Sequence, residues 1–302
     1  MVLALLRAMR LAQWTKNLFV LAPLGFAYGD RSVADPVDAA DLVHTLLALV
    51  SFCLASSAVY LLNDILDVER DRAHPVKRLR PIASGELPPK TALAAAGAFV
   101  AVALVLAFAA GERGYAVAAL VGAYALLNVA YSLRLKHVVL LDAFCVATGF
   151  LMRVGAGGLA ADADVSHWLM LCTLFLSLFL ALNKRRAEID QLGPGRGEHR
   201  RTLEEYDLPF LDQLVTLLGA CTVVCYALYT VDDETMAKFG AANHLVWSVP
   251  FVVLGIARYM FLVHTRRGGD NPTRVLLGGD AVFLMSGLAW LAVVCAVLVW
   301  GW

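Results

Sequence analysis

Along the 302 residues, long apolar runs alternate with short polar links, and few stretches show the in-out alternation of a half-buried strand. The apolar runs fall near 17–29, 43–62, 91–110, 114–131, 138–160, 167–183, 211–230, 242–264 and 281–301. Most approach the ~20 residues that a helix needs to cross a bilayer. The pattern therefore predicts an all-α polytopic membrane protein, one transmembrane domain over 1–302 with nine helices and its termini on opposite sides. The first run is short, which suits a tilted or partly embedded segment.

Composition agrees: 60% of residues are hydrophobic, 17% are charged, and the mean hydropathy is +0.69. A soluble core of this size does not need so much apolar sequence. Net charge is zero, so nothing global points to nucleic acid. The distribution of charge is more informative. Of the 25 lysines and arginines, all but Arg31, Arg113, Arg153 and Lys238 fall on one side of the expected helices. That side is expected to be cytoplasmic, with the N-terminus there and the C-terminus opposite, in a bacterial inner membrane. No convincing cleavage site follows the first apolar run. The six cysteines sit inside apolar runs without Cys-x-x-Cys spacing and read as small buried hydrophobes.

One link is unlike the rest. From Asn63 to Arg80, directly after an apolar run, 18 positions hold four carboxylates, an amide and five basic residues. On a helix turning about 100° per residue, Asn63, Asp67 and Asp71 form a stripe, with Asp64 three and seven residues before the last two. All four can line one wall. Carboxylates so close repel unless a cation lies among them, and an oxygen-only set suits Mg²⁺, or Mn²⁺, better than zinc. The following segment cannot remain helical across Pro75 and Pro81 and offers Lys77, Arg78 and Arg80 as phosphate ligands. A charged helix end snorkelling into headgroups accounts for these cations, but gains nothing from an acidic stripe.

Other cytoplasmic links carry further candidates. Gln13-Trp14-Thr15-Lys16-Asn17 precedes the first helix, as an interfacial anchor or part of a site. Tyr131 to His137 is a tight polar link containing Lys136, followed by Asp142. Asn183-Lys184-Arg185-Arg186-Ala187-Glu188 opens a long polar loop through the glycines at 193–197, which read as a flexible loop and not a phosphate loop. The sequence at 266–272 reads as a turn. Arg153 is the basic residue well inside an apolar run, about 16 Å along the helix and about 20° around it from Asp142. A charge at that depth is a candidate functional group, or a structural one in an ion pair or hydrogen-bonded to backbone carbonyls. Gly155, Gly157 and Gly158 suit close helix packing, and His137, His199 and His244 lack ligand spacing.

These motifs resemble those of the UbiA-type intramembrane transferases along essentially the whole chain. The first motif has the form Asn-Asp-x-x-Asp-x-x-x-Asp, and a second polar motif follows the sixth helix. In prenyl-transferring members that second motif is acidic; here Lys184 to Glu188 is mainly cationic. The string His74-Pro75-x-Lys77-x-x-Arg80-Pro81-Ile82-Ala83 is more similar to the branch of polyprenyl-phosphate phosphoribosyltransferases, as are Gln13-Trp14-x-Lys16-Asn17, Tyr131-Ser132-x-x-Leu135-Lys136-His137, Asp142 and Lys184-Arg185-x-x-Glu188. The resemblance implies helices around a central cavity open to the cytoplasm and to lipid. It also implies Mg²⁺-dependent transfer of 5-phosphoribosyl from phosphoribosyl pyrophosphate to a membrane polyprenyl phosphate, feeding arabinan precursors of a cell wall. A homo-oligomer is compatible with it.

The residue chemistry suits that donor, which needs a metal for its pyrophosphate and separate cations for its 5-phosphate. Asn63, Asp64, Asp67 and Asp71 are the candidate metal ligands, and the three aspartates the candidate catalytic residues. Lys77, Arg78 and Arg80 would meet the pyrophosphate. Lys184 and Arg185, with Tyr131 and Lys136, would meet the 5-phosphate or the acceptor phosphate, and Lys16, Asn17, Asp142, Arg153 and Glu188 complete the substrate-binding set. Arg185→Ala is expected to lower activity with little effect on stability. Two rivals remain: prenyl transfer to an aromatic acceptor, which would use the same first motif, and a transporter, which would place charge on broken helices near the bilayer midplane.

Overall fold

The computed structural model describes residues 1–32, 37–192, 205–239, 244–265 and 280–300, and among them there is no strand. Its helices are α1 (Val2–Ala8), α2 (Ala22–Tyr28), α3 (Ala39–Leu66), α4 (Val68–Ala73), α5 (Pro89–Phe108), α6 (Gly114–Leu133), α7 (Leu141–Ala160), α8 (His167–Leu192), α9 (Leu208–Val231), α10 (Asp233–Phe239), α11 (Val249–Thr265) and α12 (Ala281–Trp300). Short 3₁₀ turns lie at Lys77–Leu79, Leu135–His137 and Leu245–Ser248, and a longer 3₁₀ stretch at Leu11–Leu21. Eight of the described helices are long and apolar enough to cross a membrane. The nine expected from the sequence differ at the first run, which folds as the Leu11–Leu21 stretch followed by α2. Pro23 has no N–H to give to a carbonyl one turn back, so it stands in the first turn of a new helix and not inside a longer one. The glycines at 193–197, His199 and the turn at 266–272 lie outside the described residues.

The chain forms two compact units: Met1–Leu24, Val37–Leu133 and Met152–Asp164 in the first, and Gly25–Pro36, Arg134–Leu151 and Val165–Trp302 in the second. In the first, α3 packs against α1, the Leu11–Leu21 stretch, α5 and α6. A reciprocal capping box starts α3: Asp38 accepts from the Asp41 N–H at 2.9 Å, and Asp41 accepts from the Asp38 N–H at 3.1 Å. Along the helix, Ala48, Ser51, Ala55, Ser56, Ser57 and Ala58 are buried, small enough to admit neighbouring helices closely. The Ser51 and Ser57 hydroxyls are satisfied by carbonyls one turn back, each at 2.8 Å. Gly157 permits another close approach, because a Cβ there would lie 2.0 Å from the Val20 carbonyl oxygen. At 28 residues α3 is about 42 Å long, more than the ~30 Å hydrocarbon layer. Its last, polar turn can therefore project beyond the apolar zone.

In the second unit α8 packs on α9, and α11 on α12. Phe179, Leu182, Tyr206, Leu211, Val215 and Tyr259 form its main core. Phe26, Tyr229, Phe239, Leu245 and Val297 belong to a further apolar cluster within this unit.

Candidate functional site

In the first unit the acidic motif does not lie on one unbroken helix. Asp67 caps α3 with φ −97° and ψ 10°, and α4 begins at Val68. The backbone ladder nonetheless runs through the break, from the Asp67 N–H to the Asn63 carbonyl at 2.9 Å and from the Asp71 N–H to the Asp67 carbonyl at 2.8 Å. This keeps the motif nearly in helical register. Asp64 and Asp71 are 2% and 3% exposed, whereas Asp67 is partly exposed beside Arg70 at 3.8 Å.

The buried carboxylates meet guanidinium groups. Arg80 Nη1 lies 3.1 Å from Asp64 Oδ1 and 2.6 Å from Asp71 Oδ2, and Arg10 Nη2 lies 2.5 Å from Asp64 Oδ1. Arg10 reaches this position from a left-handed backbone, φ 55°, and its guanidinium lies 4.8 Å over the Tyr60 ring. Such a conformation is costly for a residue with a Cβ and persists only where its surroundings enforce it. The Ser132 hydroxyl donates to Asn63 Oδ1. His74 Nδ1 accepts from the N–H groups of Val76 and Lys77, at 3.1 and 3.3 Å. That ordered turn leaves the Lys77 and Arg78 side chains on the exposed surface.

No group of three or more His, Cys, Asp or Glu side chains forms a metal cage among the described residues. The donors nevertheless suit a hard divalent cation. Asp64 and Asp71 converge on one cationic nitrogen of Arg80, and both of them, like Asn63 and Asp67 beside them, present oxygen.

Asn17 and Arg153 meet each other instead. Arg153, 6% exposed, donates through Nε to Asn17 Oδ1 at 2.7 Å and through Nη2 to Tyr124 Oη at 3.0 Å. Its guanidinium also lies over the Tyr124 and Phe52 rings, at 4.6 and 5.6 Å. Asn17 Nδ2 is held by Cys53 Sγ at 3.2 Å and Ser56 Oγ at 3.3 Å. These contacts place the Arg153 charge in a polar and aromatic environment. The Trp14 indole N–H donates to Ser57 Oγ at 3.0 Å, so it turns inward to α3. Lys16 and Tyr131 are half-buried in this unit.

The second unit holds the other motif. Asp142 is 0% exposed at the start of α7, and its Oδ2 accepts from Arg185 Nε at 2.8 Å. Arg185 Nη1 donates to Glu188 Oε2, one turn along α8, and Lys184 Nζ lies 3.8 Å from Glu188 Oε1. Tyr206 Oη donates to Asp142 Oδ1 at 2.9 Å and accepts from the Leu140 N–H at 2.7 Å. Burial, together with the Asp142 charge, pushes the Tyr206 phenol well above its ordinary pKa and keeps it a donor. Lys136 is half-buried on the 3₁₀ turn before α7. Arg186 faces elsewhere, to Asp212 at 2.5 Å, which also meets His264 at 3.4 Å.

Sequence reasoning passed over Arg10, Ser132, Tyr124 and Tyr206. Arg10 stands three residues before the Gln-Trp motif and Ser132 inside a quoted motif, so proximity was a usable signal. Tyr124 and Tyr206 gave none, being aromatic residues in or beside apolar runs.

The match of residues 18–188 to the model of the UbiA prenyltransferase family places both motifs in a known frame: the chain belongs to that family, and with eight apolar helices of spanning length among the described residues it is an integral membrane protein. It is 36% identical to the decaprenyl-phosphate phosphoribosyltransferase of Mycolicibacterium smegmatis, over 99% of this chain and 93% of that one. It is 37% identical to the protein of the same name from Corynebacterium glutamicum, over 97% of this chain and 86% of that one. Among solved structures, a UbiA homolog from Archaeoglobus fulgidus bound to GPP and Mg²⁺ has a TM-score of 0.69 at 20% identity, covering 98% of this chain and 99% of that one. This last likeness shows the fold.

Proposed function

We propose that the protein transfers 5-phosphoribosyl from phosphoribosyl pyrophosphate to a membrane polyprenyl phosphate, releasing pyrophosphate. The observation that carries this reading is near-full-length similarity to proteins named decaprenyl-phosphate phosphoribosyltransferase. The charge of the second motif supports it. Arg185 and Lys184 there suit a phosphate monoester, which a prenyl diphosphate and an aromatic acceptor do not offer.

In the first unit, Asp64 and Asp71, with Asn63 and Asp67, would hold Mg²⁺, which when bound neutralises charge on the leaving pyrophosphate. Lys77, Arg78 and Arg80 meet its oxygens as charge develops. In the second unit, Arg185 and Lys184, with Lys136, hold a phosphate of donor or acceptor; Asp142 and Glu188 fix the Arg185 plane. The acceptor phosphate is anionic near neutral pH, so attack on the anomeric carbon needs no strong general base. Loss of the C–O bond through an oxocarbenium-like transition state leads to inversion there.

One UbiA-like domain with a central cavity open to the cytoplasm and to lipid accommodates a soluble donor and a lipid acceptor. The cytoplasmic assignment of motifs and N-terminus, in a bacterial inner membrane, rests on the lysine and arginine asymmetry. The ninth crossing would be the first run, 17–29, which is short and would be tilted or only partly embedded. The test is to incubate detergent-solubilised protein with labelled phosphoribosyl pyrophosphate and a polyprenyl phosphate. Label entering the lipid phase supports the reading, while label entering an aromatic acceptor from a prenyl diphosphate instead would replace it.

A further inference from the structure

We propose that Tyr206 is a positioning residue which, through Asp142, sets the orientation in which Arg185 meets a phosphate. It rests on the reading that Arg185 binds a phosphate of donor or acceptor. Tyr206 is 1% exposed and its hydroxyl has a defined direction. Its oxygen accepts from the Leu140 N–H at 2.7 Å, so its single proton goes to Asp142 Oδ1, at 2.9 Å. Leu140 makes that contact from a left-handed backbone, φ 66°, a conformation costly for leucine. The Tyr206 oxygen is thus an acceptor that helps to retain it.

Asp142 is clamped at both oxygens, by Tyr206 at Oδ1 and by Arg185 Nε at Oδ2, 2.8 Å away. Clamping one carboxylate oxygen fixes rotation about the terminal bond of the aspartate and so fixes the other. With Nε held by Asp142 and Nη1 held by Glu188, the planar guanidinium is restrained at two of its nitrogens at least. Without the phenol hydroxyl, Asp142 loses one restraint. It can then turn, taking Arg185 with it. The aromatic ring, packed in the core of this unit, is not what the proposal concerns.

The experiment uses the full-length detergent-solubilised protein and a double-mutant cycle of Tyr206→Phe with Arg185→Ala. Arg185→Lys serves as a second background should the alanine variant fail to fold, since lysine lacks the Nε group that Asp142 holds. The readouts are kcat and KM for both substrates, and calorimetric affinity for phosphoribosyl pyrophosphate and for a polyprenyl phosphate in the absence of the co-substrate. Tyr206→Phe is expected to raise KM and Kd for one phosphate substrate about tenfold, the size of one charged hydrogen bond. It should change either constant less than about twofold once Arg185 is gone, because the effect passes through that residue. An additive cycle, or Tyr206→Phe with wild-type constants, would overturn the proposal. If the wild type binds either phosphate compound with this coupling yet transfers nothing, the functional reading fails and the role of Tyr206 stands. If it neither binds nor transfers, both fail.

Discussion

Replacing Arg185 with alanine tests two consequences of one geometry. Arg185 is 5% exposed and Asp142 0%, so the mutation leaves a carboxylate in a poorly hydrated place facing a small apolar side chain. Breaking a buried pair from one side costs about 3–5 kcal/mol. Asp142 retains the Tyr206 hydroxyl, which favours the lower end, about 3 kcal/mol. At the 2–4 °C per kcal/mol usual for chains somewhat smaller than this one, the melting temperature should fall by roughly 6–12 °C. Activity should fall separately, by about ten- to a hundredfold in kcat/KM, from loss of one charge-assisted contact. Thermal unfolding in detergent and phosphoribosyl transfer measure the two effects. The double variant Asp142→Asn/Arg185→Ala, which also removes the Asp142 charge, should recover most of the stability and none of the activity. An Arg185→Ala protein that melts with the wild type would refute the buried-pair account, and the structure here corrects the sequence expectation of an effect on activity alone. Lys184→Ala is the control: its side chain is 44% exposed and its ammonium lies 3.8 Å from Glu188, so its stability should stay within about 1 kcal/mol of wild type.

Asp64→Asn and Asp67→Asn should separate in the same way. The first disturbs a buried carboxylate shared by two arginines and should lower both melting temperature and turnover, while the second, partly exposed, should lose most turnover at nearly wild-type stability; equal melting of the two would count against the burial argument. Exhaustive EDTA treatment should abolish transfer and Mg²⁺ or Mn²⁺ restore it, whereas full activity in the chelated protein would sink the metal reading. Gly157→Ala should destabilise the first unit by about 1–3 kcal/mol through overpacking, because its Cβ would meet the Val20 carbonyl oxygen, a backbone atom that cannot rotate away; unchanged unfolding would show that the contact yields easily.

Much of the fold was legible because the bilayer imposes a length on each apolar run. Six of the nine expected segments begin and end within a few residues of their helices; α8 runs nine residues past the expected end at 183, to Leu192, and α11 begins after the 3₁₀ turn at Leu245–Ser248. The first run was less legible because length and apolarity do not report helix type, and Pro23 divides it. Most candidate site residues were legible as types and spacings, but their partners were not. Asp64 and Arg10 are 54 residues apart, Arg153 and Asn17 136, Tyr206 and Asp142 64. Helical periodicity specifies a face, and only packing decides what that face meets.

The acidic stripe illustrates the difference. Spacing alone left Asp64 and Asp71 as neighbouring like charges requiring a cation, and the structure supplies one from the same segment, Arg80, within 3.1 and 2.6 Å of the two. An arginine there is compatible with a metal role for these oxygens, since its Nη1 holds the position between the two carboxylates that a divalent cation would take. If a divalent ion enters that site, the Arg80 charge has less to gain from the carboxylates and more from an incoming pyrophosphate. Metal and donor binding should therefore reinforce one another, each raising the affinity of the other by the same factor. Calorimetric titration of Mg²⁺ with and without pyrophosphate, in wild type and in Arg80→Gln, measures that coupling. Mg²⁺ affinity in the wild type should rise when pyrophosphate is present by more than the ions' own association explains, and the excess should vanish in Arg80→Gln. An excess of the same size in both proteins would show that Arg80 has no part in it.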